Sequence, residues 1–438
     1  MIRDTGRAGV PLGALAGLAA SLVLVAGPDR GTATVEGRQF SFEQVVAGLK
    51  HSEASARRNS MRLLAEAGFP EAAAPLAVLL TDPVEEIQLE AIATEVSLLA
   101  GSRYPARRRV AGLVDVRRDS AAQAAFWAGP GLSPLPAPVE VVRGMLAAMH
   151  DDSAAVRIEA TYAFGALAVP DIDRAAAADL KAAFDLLGGQ MSDPDARQRM
   201  AAAAVAGRLL ETCGRRCVPP DPVAFGDLFV AGLNDTDRYV KLNSMWVLGL
   251  LRHERAVQAL SEQLAYYGRG LEAEAALEAL ARIAHPSSAS TLWLQLASKD
   301  AGLRRRAIEG IGRLGDRTRA AELEAAASRE SDAATNLAVA FAFQMLRQGS
   351  YLDRFIEAAY RADTREQARQ YLVELGPSIV DSLVLYLRDP SPEVRALVAD
   401  VVGRTGSPSA AAALAPLRDD PDRAVSAAAT RALARLMR

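Results

Sequence analysis

Few residue types in this 438-residue chain are placed to do chemistry. Cysteine occurs twice, as Cys213 and Cys217 in E-T-C-G-R-R-C-V-P-P, and histidine four times, as His51, His150, His253 and His285. Two thiols cannot complete a four-ligand zinc site, and no histidine lies near them in sequence, so no metal is expected. Their spacing also differs from the C-x-x-C of a thioredoxin-like redox motif. Exported chains oxidise such pairs, so a disulfide between Cys213 and Cys217 is the expectation, with free thiols or a redox pair as the alternatives. There is no P-loop, no dinucleotide fingerprint and no G-x-S-x-G elbow, so no cofactor is expected. Adjacent carboxylates such as Glu85 and Glu86 read as a solvated helix face.

The abundant charges recur in register. Asp82, Asp151, Asp193, Asp235, Asp389 and Asp420 open stretches such as D-P-S-P-E-V-R-A-L-V, Asp389 to Val398. Counting the opening residue as offset zero, an aliphatic residue falls at offset five, often a basic one at six and a small one at nine. Arg157, Arg199, Arg304, Arg365 and Arg395 occupy offset six. Unit starts fall at about 51, 82, 151, 193, 235, 267, 298, 330, 359, 389 and 420. Most steps are near 31 residues, two are about 42 and one is 69. The longest step is expected to hide an extra helix or irregular unit around Arg107 to Ala128, followed by the loop composition G-P-G-L-S-P-L-P-A-P.

Each period accommodates two helices. The second is expected to begin at the aspartate, whose side chain would cap the free N–H groups of the first turn, with proline next at the first helical position. Offsets 5, 9, 12, 13 and 16 share one face at 100° per residue; in the unit from Asp235 they are Val240, Ser244, Val247, Leu248 and Leu251. Gly68, Gly315, Gly376 and Gly406 stand at offset 17, where a helix stops in the left-handed conformation. Pro70, Pro170, Pro286 and Pro408 follow at offset 19 and open the next helix. First helices have a stripe of their own, as in Pro377 to Leu387. An isolated pair cannot bury both apolar faces, so the pairs must stack. The expected fold class is all-α: an α-solenoid of about 11–12 tandem antiparallel helix pairs over residues 34–438, with an irregular insert near 101–138.

The D-P-x-x-x-V-R-x-x-A pattern, followed by small-apolar stretches such as I-G-R-L-G-D (Ile311 to Asp316), resembles HEAT repeats. The unit is shorter than usual for them and is similar to the bacterial phycobilisome-lyase type. The likeness runs from about Phe40 to Arg438 and implies that the aspartate and arginine ladders cap helices and pair between neighbouring repeats. It implies a fold and leaves activity open. Deoxyhypusine hydroxylase, a relative of this architecture, holds iron through His-Glu pairs; only His253-Glu254 forms such a pair here. Bilin handling would need a pigment and an acceptor protein, neither of which an exported chain would meet.

A non-catalytic scaffold that binds a protein or peptide is therefore the expected function, with the concave face of the solenoid as the binding surface. Offsets 4 and 11 of the second helix lie opposite its buried stripe. Tyr239 and Trp246 hold them in one unit, with Asn243 between, and Tyr162 and Phe341 hold offset 11 in others. Exposed Tyr and Trp are enriched in binding hot spots, and the bland alternative is that these rings pack against neighbouring helices. A net charge of −3 argues against a general nucleic-acid partner, which would need a basic field.

Residues Val10 to Ala26 are uncharged, follow Arg3 and Arg7, and read as a signal peptide or single membrane anchor within residues 1–33. That places the rest in the cell envelope, membrane-tethered, periplasmic or secreted. The competing function is an enzyme or anionic-ligand binder built on the insert at 103–138, with Arg107, Arg108, Arg109, Arg117 and Arg118 near Phe126 and Trp127.

Overall fold

The computed structural model describes residues 23–25, 32–35, 38–100, 120–128, 135–169, 176–213, 218–347, 349–405 and 410–436. They form two compact units, Met1–Leu251 and Arg252–Arg438. The first opens on a small antiparallel sheet of β1 (Val23–Val25), β2 (Thr32–Val35) and β3 (Arg38–Ser41), with Val23 opposite Thr34 and Thr32 opposite Ser41. Val23–Val25, near the end of the apolar stretch expected as a signal peptide or anchor, form a strand, as β-branched residues favour. The rest of the apolar stretch lies outside the described residues. Among those residues no helix is long and apolar enough to cross a membrane.

Beyond Ser41 the described residues are helical. Ser41 caps the first helix in a reciprocal box, accepting from the Gln44 N–H at 3.3 Å while its own N–H donates to Gln44 Oε1 at 2.9 Å. The pairs of the first unit are α1 (Phe42–Gly48) with α2 (Ala54–Ala67), and α3 (Ala73–Leu76) with α4 (Glu85–Ala100). A single helix α5 (Ala121–Ala128) comes next, the extra element expected in the long step. Then come α6 (Val139–Ala148) with α7 (Ala154–Leu167), α8 (Ala177–Gln190) with α9 (Ala196–Cys213), and α10 (Pro222–Gly232) with α11 (Arg238–Leu251). The second unit holds α12 (Val257–Tyr267) with α13 (Leu271–Ile283), α14 (Ala289–Gln295) with α15 (Ala301–Leu314), and α16 (Ala320–Ala327) with α17 (Ala333–Met345). It ends with α18 (Leu352–Tyr360) and α19 (Arg365–Leu375), α20 (Val380–Leu383) and α21 (Pro392–Thr405), and α22 (Ala411–Leu414) and α23 (Arg423–Leu436). The fold is an all-α repeat stack of these pairs.

The stripe predicted from Asp235 is the core side of α11: Val240, Ser244, Val247 and Leu248 are fully buried. Gly68 and Gly315 end α2 and α15 at φ 68° and 72°, where an L side chain would be strained. Several first helices are broken. Residues 377–387, expected as one helix, run from a 3-10 turn through α20 into a second 3-10 turn.

The ladders work differently from the simple cap expected. The offset-zero carboxylate accepts the N–H two residues on, as in Asp151 from Ser153 and Asp235 from Asp237, both at 2.8 Å. The offset-two residue then caps the second helix: Ser153 takes the Val156 N–H, Asp237 those of Tyr239 and Val240, and Asp300 those of Gly302 and Leu303. The offset-six arginine ties the turn to the next repeat. Arg199 Nη1 donates to the carbonyls of Asp193 and Pro194, while Nε and Nη2 hold Asp235 at 2.6 and 2.9 Å. Arg57 with Asp82, Arg304 with Glu330, and Arg395 with Asp420 repeat this fork. Gln88 substitutes for the arginine and donates to Asp151 at 2.8 Å. Hydrogen bonding from Arg199 holds the Asp235 carboxyl below its ordinary range, and Arg395 does the same to Asp420.

Candidate interaction surface

Second helices stack side by side in each unit, and the seam between them decides what a partner could reach. Glycine at offset 14 marks the closest approach. A Cβ on Gly312 would stand 2.6 Å from Ala342 Cα, and one on Gly403 2.6 Å from Ala432 Cα. Gly207 is filled instead by the Trp246 ring, which a Cβ would meet at 2.2 Å. These glycines escaped the sequence reading, although their recurrence at offset 14, in Gly165, Gly207, Gly312 and Gly403, was there to be found.

The five residues expected on the exposed face separate. Tyr239 is 46% exposed on α11. Asn243, one turn on, is half-buried and donates to the Tyr239 carbonyl at 2.8 Å. Trp246 is half-buried, wedged against α9 at Gly207. Tyr162 and Phe341 are not exposed at all: they are 1% and 0% accessible, and the expectation for them is corrected. Offset 11 points along the seam toward the neighbouring second helix, so a ring there is covered wherever that neighbour, or another element, closes over it.

Tyr162 is covered by α5. The Phe126 and Trp127 rings lie 5.4 and 6.2 Å from it, centroid to centroid. Phe126 drops into the space left by Gly165, whose absent Cβ would meet the ring at 2.7 Å. Arg208 of α9 stacks on the other side of Phe126 at 3.7 Å and donates through Nη1 to the Phe126 carbonyl at 2.5 Å. Gln123 of α5 donates to Glu159 of α7 at 3.0 Å. Desolvation raises the Glu159 carboxyl above its ordinary value and lowers the Arg208 guanidinium. Trp127 itself is 52% exposed.

Phe341 is covered by charge. Its ring stacks on Tyr371 of α19 at 4.3 Å, and Arg313 of α15 lies over it at 5.0 Å. Arg313 reaches across α17 to Glu374, with Nε and Nη2 both at 2.8 Å. The Tyr371 hydroxyl donates to Glu309 at 2.5 Å and accepts from Gln367 at 2.6 Å. Burial opposes the charged forms, yet pairing with Arg313 holds Glu374 below its ordinary range, and Arg313 is raised in turn. Burial, reinforced by Glu309, pushes the Tyr371 phenol well above its usual value. These shifts lead away from neutrality, whereas general acid–base catalysis uses groups poised near the working pH.

Among the described residues no group of three or more His, Cys, Asp or Glu side chains is arranged to hold a metal ion. Cys213 ends α9, while Cys217 and the arginines from 103 to 118 lie outside the described residues.

The family model for HEAT repeats matches residues 352–434, the helices α18 to α23. Comparison with curated proteins gives no significant match. A solved crystal structure of an engineered protein is similar, with 18% identity, a TM-score of 0.40, and coverage of 91% of this chain and 99% of that one. Paired helices and arginine–carboxylate joints recur in both units, and over residues 352–434 that plan matches the family model for HEAT repeats.

Proposed function

We propose that the chain is a non-catalytic scaffold that holds a protein or peptide on the second-helix face of its first unit. The observation that carries this is the patch on α11. Tyr239 presents an exposed ring, Asn243 a polar edge one turn away, and Trp246 the accessible side of a ring anchored at Gly207. A large side chain held by packing and offered on one side loses little entropy when bound. Export through Val10 to Ala26 is part of the same reading, and would bring the chain to a partner in the cell envelope; a reporter active only outside the cytoplasm, fused after Ala33, should report.

The patch is tested by comparing Tyr239→Ala with the native chain as bait in an envelope extract. Tyr239→Ala should lose the captured partner, with affinity weaker by about 2 kcal/mol and melting unchanged. Trp246→Ala should cost about 3 kcal/mol of stability because it opens the Gly207 wedge. Equal capture by the native and Tyr239→Ala chains would remove the patch from the function.

A further inference from the structure

The helix α5 does not belong to any pair. It lies against α4 and α7 on the second-helix face, touches α9 through Arg208, and is bound there as a ligand would be. Its aromatic side chain fills a slot shaped by a glycine, Gly165. One of its backbone carbonyls is captured by a side chain of the face, Arg208 Nη1 at 2.5 Å, and one of its polar side chains, Gln123, is read by Glu159 at 3.0 Å. Eight residues make barely two turns, too short to be helical without the surface beneath.

The fit is incomplete in one respect. Glu159 and Arg208 are desolvated at this contact, and α5 offers each of them only neutral groups. Among the described residues Glu159 meets Ser120 and Gln123, and Arg208 meets the Phe126 ring and carbonyl, with Glu211 acting at a distance. A carboxylate so placed gains more from a cation than from an amide.

We propose that α5 is a built-in competitor on this face, and that the partner displacing it is a short helix with a basic side chain three residues before an aromatic one. The basic group takes the place of Gln123 over Glu159, the aromatic ring enters the slot of Phe126, and the last turn of the helix presents its carbonyls to Arg208. This rests on the reading that the face binds a protein partner, and it adds which segment holds the site closed. Helix-in-groove recognition supplies the geometry.

Two measurements on the full chain test it. Hydrogen exchange of the native protein should show the amides of α5 exchanging at least tenfold faster than those of α7 and α9, because a competitor must open without unfolding its support. Protection equal to that of α7 would make α5 a fixed part of the core and overturn the proposal. The second measurement uses a labelled synthetic peptide of residues 119–128 with the Phe126→Ala chain, whose slot is empty. The peptide should bind that chain at least tenfold more tightly than the native chain, and its Gln123→Lys form should bind tighter still by a further tenfold. Equal binding to both chains, or no gain from Gln123→Lys, would overturn it. Should Phe126→Ala fail to fold, native exchange alone decides. Tyr239→Ala leaves the α5 slot intact, so loss of the α11 patch and loss of the competitor are read separately.

Discussion

Glu95 illustrates how far a single residue can run against its surroundings. It is wholly buried on α4, and neither carboxyl oxygen has a hydrogen-bond partner among the described residues. Burial raises its pKa well above the ordinary value. A raised folded pKa means that its contribution to stability is present below the unfolded value, near 4.3, and is lost as pH climbs through the folded one. Glu95→Met, similar in shape, should therefore stabilise the protein by about 2 kcal/mol at pH 7 and by much less at pH 4. Chemical unfolding at the two pH values measures this, and a variant less stable at pH 7 would reveal a partner for the carboxylate. The exposed Tyr239 and the buried Tyr162 and Phe341 make the converse point. Identical reasoning from helix phase applied to all three, and only one remained accessible.

At the scale of the element, the seam between second helices rests on small residues and the joints on forked arginines. Gly312→Ala gains about 1 kcal/mol of helix propensity but forces a methyl into the Ala342 backbone, so the net change should be a loss of about 1–3 kcal/mol. Gly189→Ala on α8 meets nothing within 4 Å and should be neutral to stabilising by about 1 kcal/mol. Thermal melts of the two variants moving the same way would contradict this account of the seam. The joints set an acid limit. Asp235 and Asp420 titrate below their unfolded values, so the stability they contribute is complete above pH 4 and is lost as pH falls through the depressed values. Melting temperature should drop below about pH 4, and Asp235→Asn should lower stability at pH 7 while shrinking that drop. A melting curve indifferent to acid would remove the ladder from the stability of the fold.

For the molecule as a whole, joints between neighbours matter more than contacts between distant segments. In the first unit an offset-six side chain reaches the next unit start at Asp82, Asp151, Asp193 and Asp235 in turn. In the second unit the fork recurs at Glu330 and Asp420, while Asp389 is held by the Tyr360 hydroxyl at 2.7 and 2.8 Å. Nearest-neighbour stabilisation predicts local damage. Arg395→Ala should raise hydrogen exchange in α21 and α23 severalfold and leave α13 and α15 near native protection. A uniform rise across all helices would show the second unit to be one cooperative block instead.

The period, the stops at Gly68 and Gly315 and the buried stripe of α11 follow from spacing in the sequence, because each depends on helix phase, while the pairing of Arg199 with Asp235 is what the resemblance to HEAT repeats implied. The capping step was misplaced by two residues, since an aspartate that turns the chain and one that caps a helix look alike until the backbone is seen. What surrounds offset 11 was beyond reach for a different reason. Phase fixes the direction of a side chain around its own helix and says nothing of what arrives from elsewhere. Tyr162 is covered by Phe126, from a helix outside the repeat plan, and Phe341 lies under Arg313, which crosses α17 to reach Glu374 61 residues away. Those contacts exist only once the second helices stand side by side, so the tertiary structure alone decided that Tyr162 and Phe341 became core while Tyr239 stayed open.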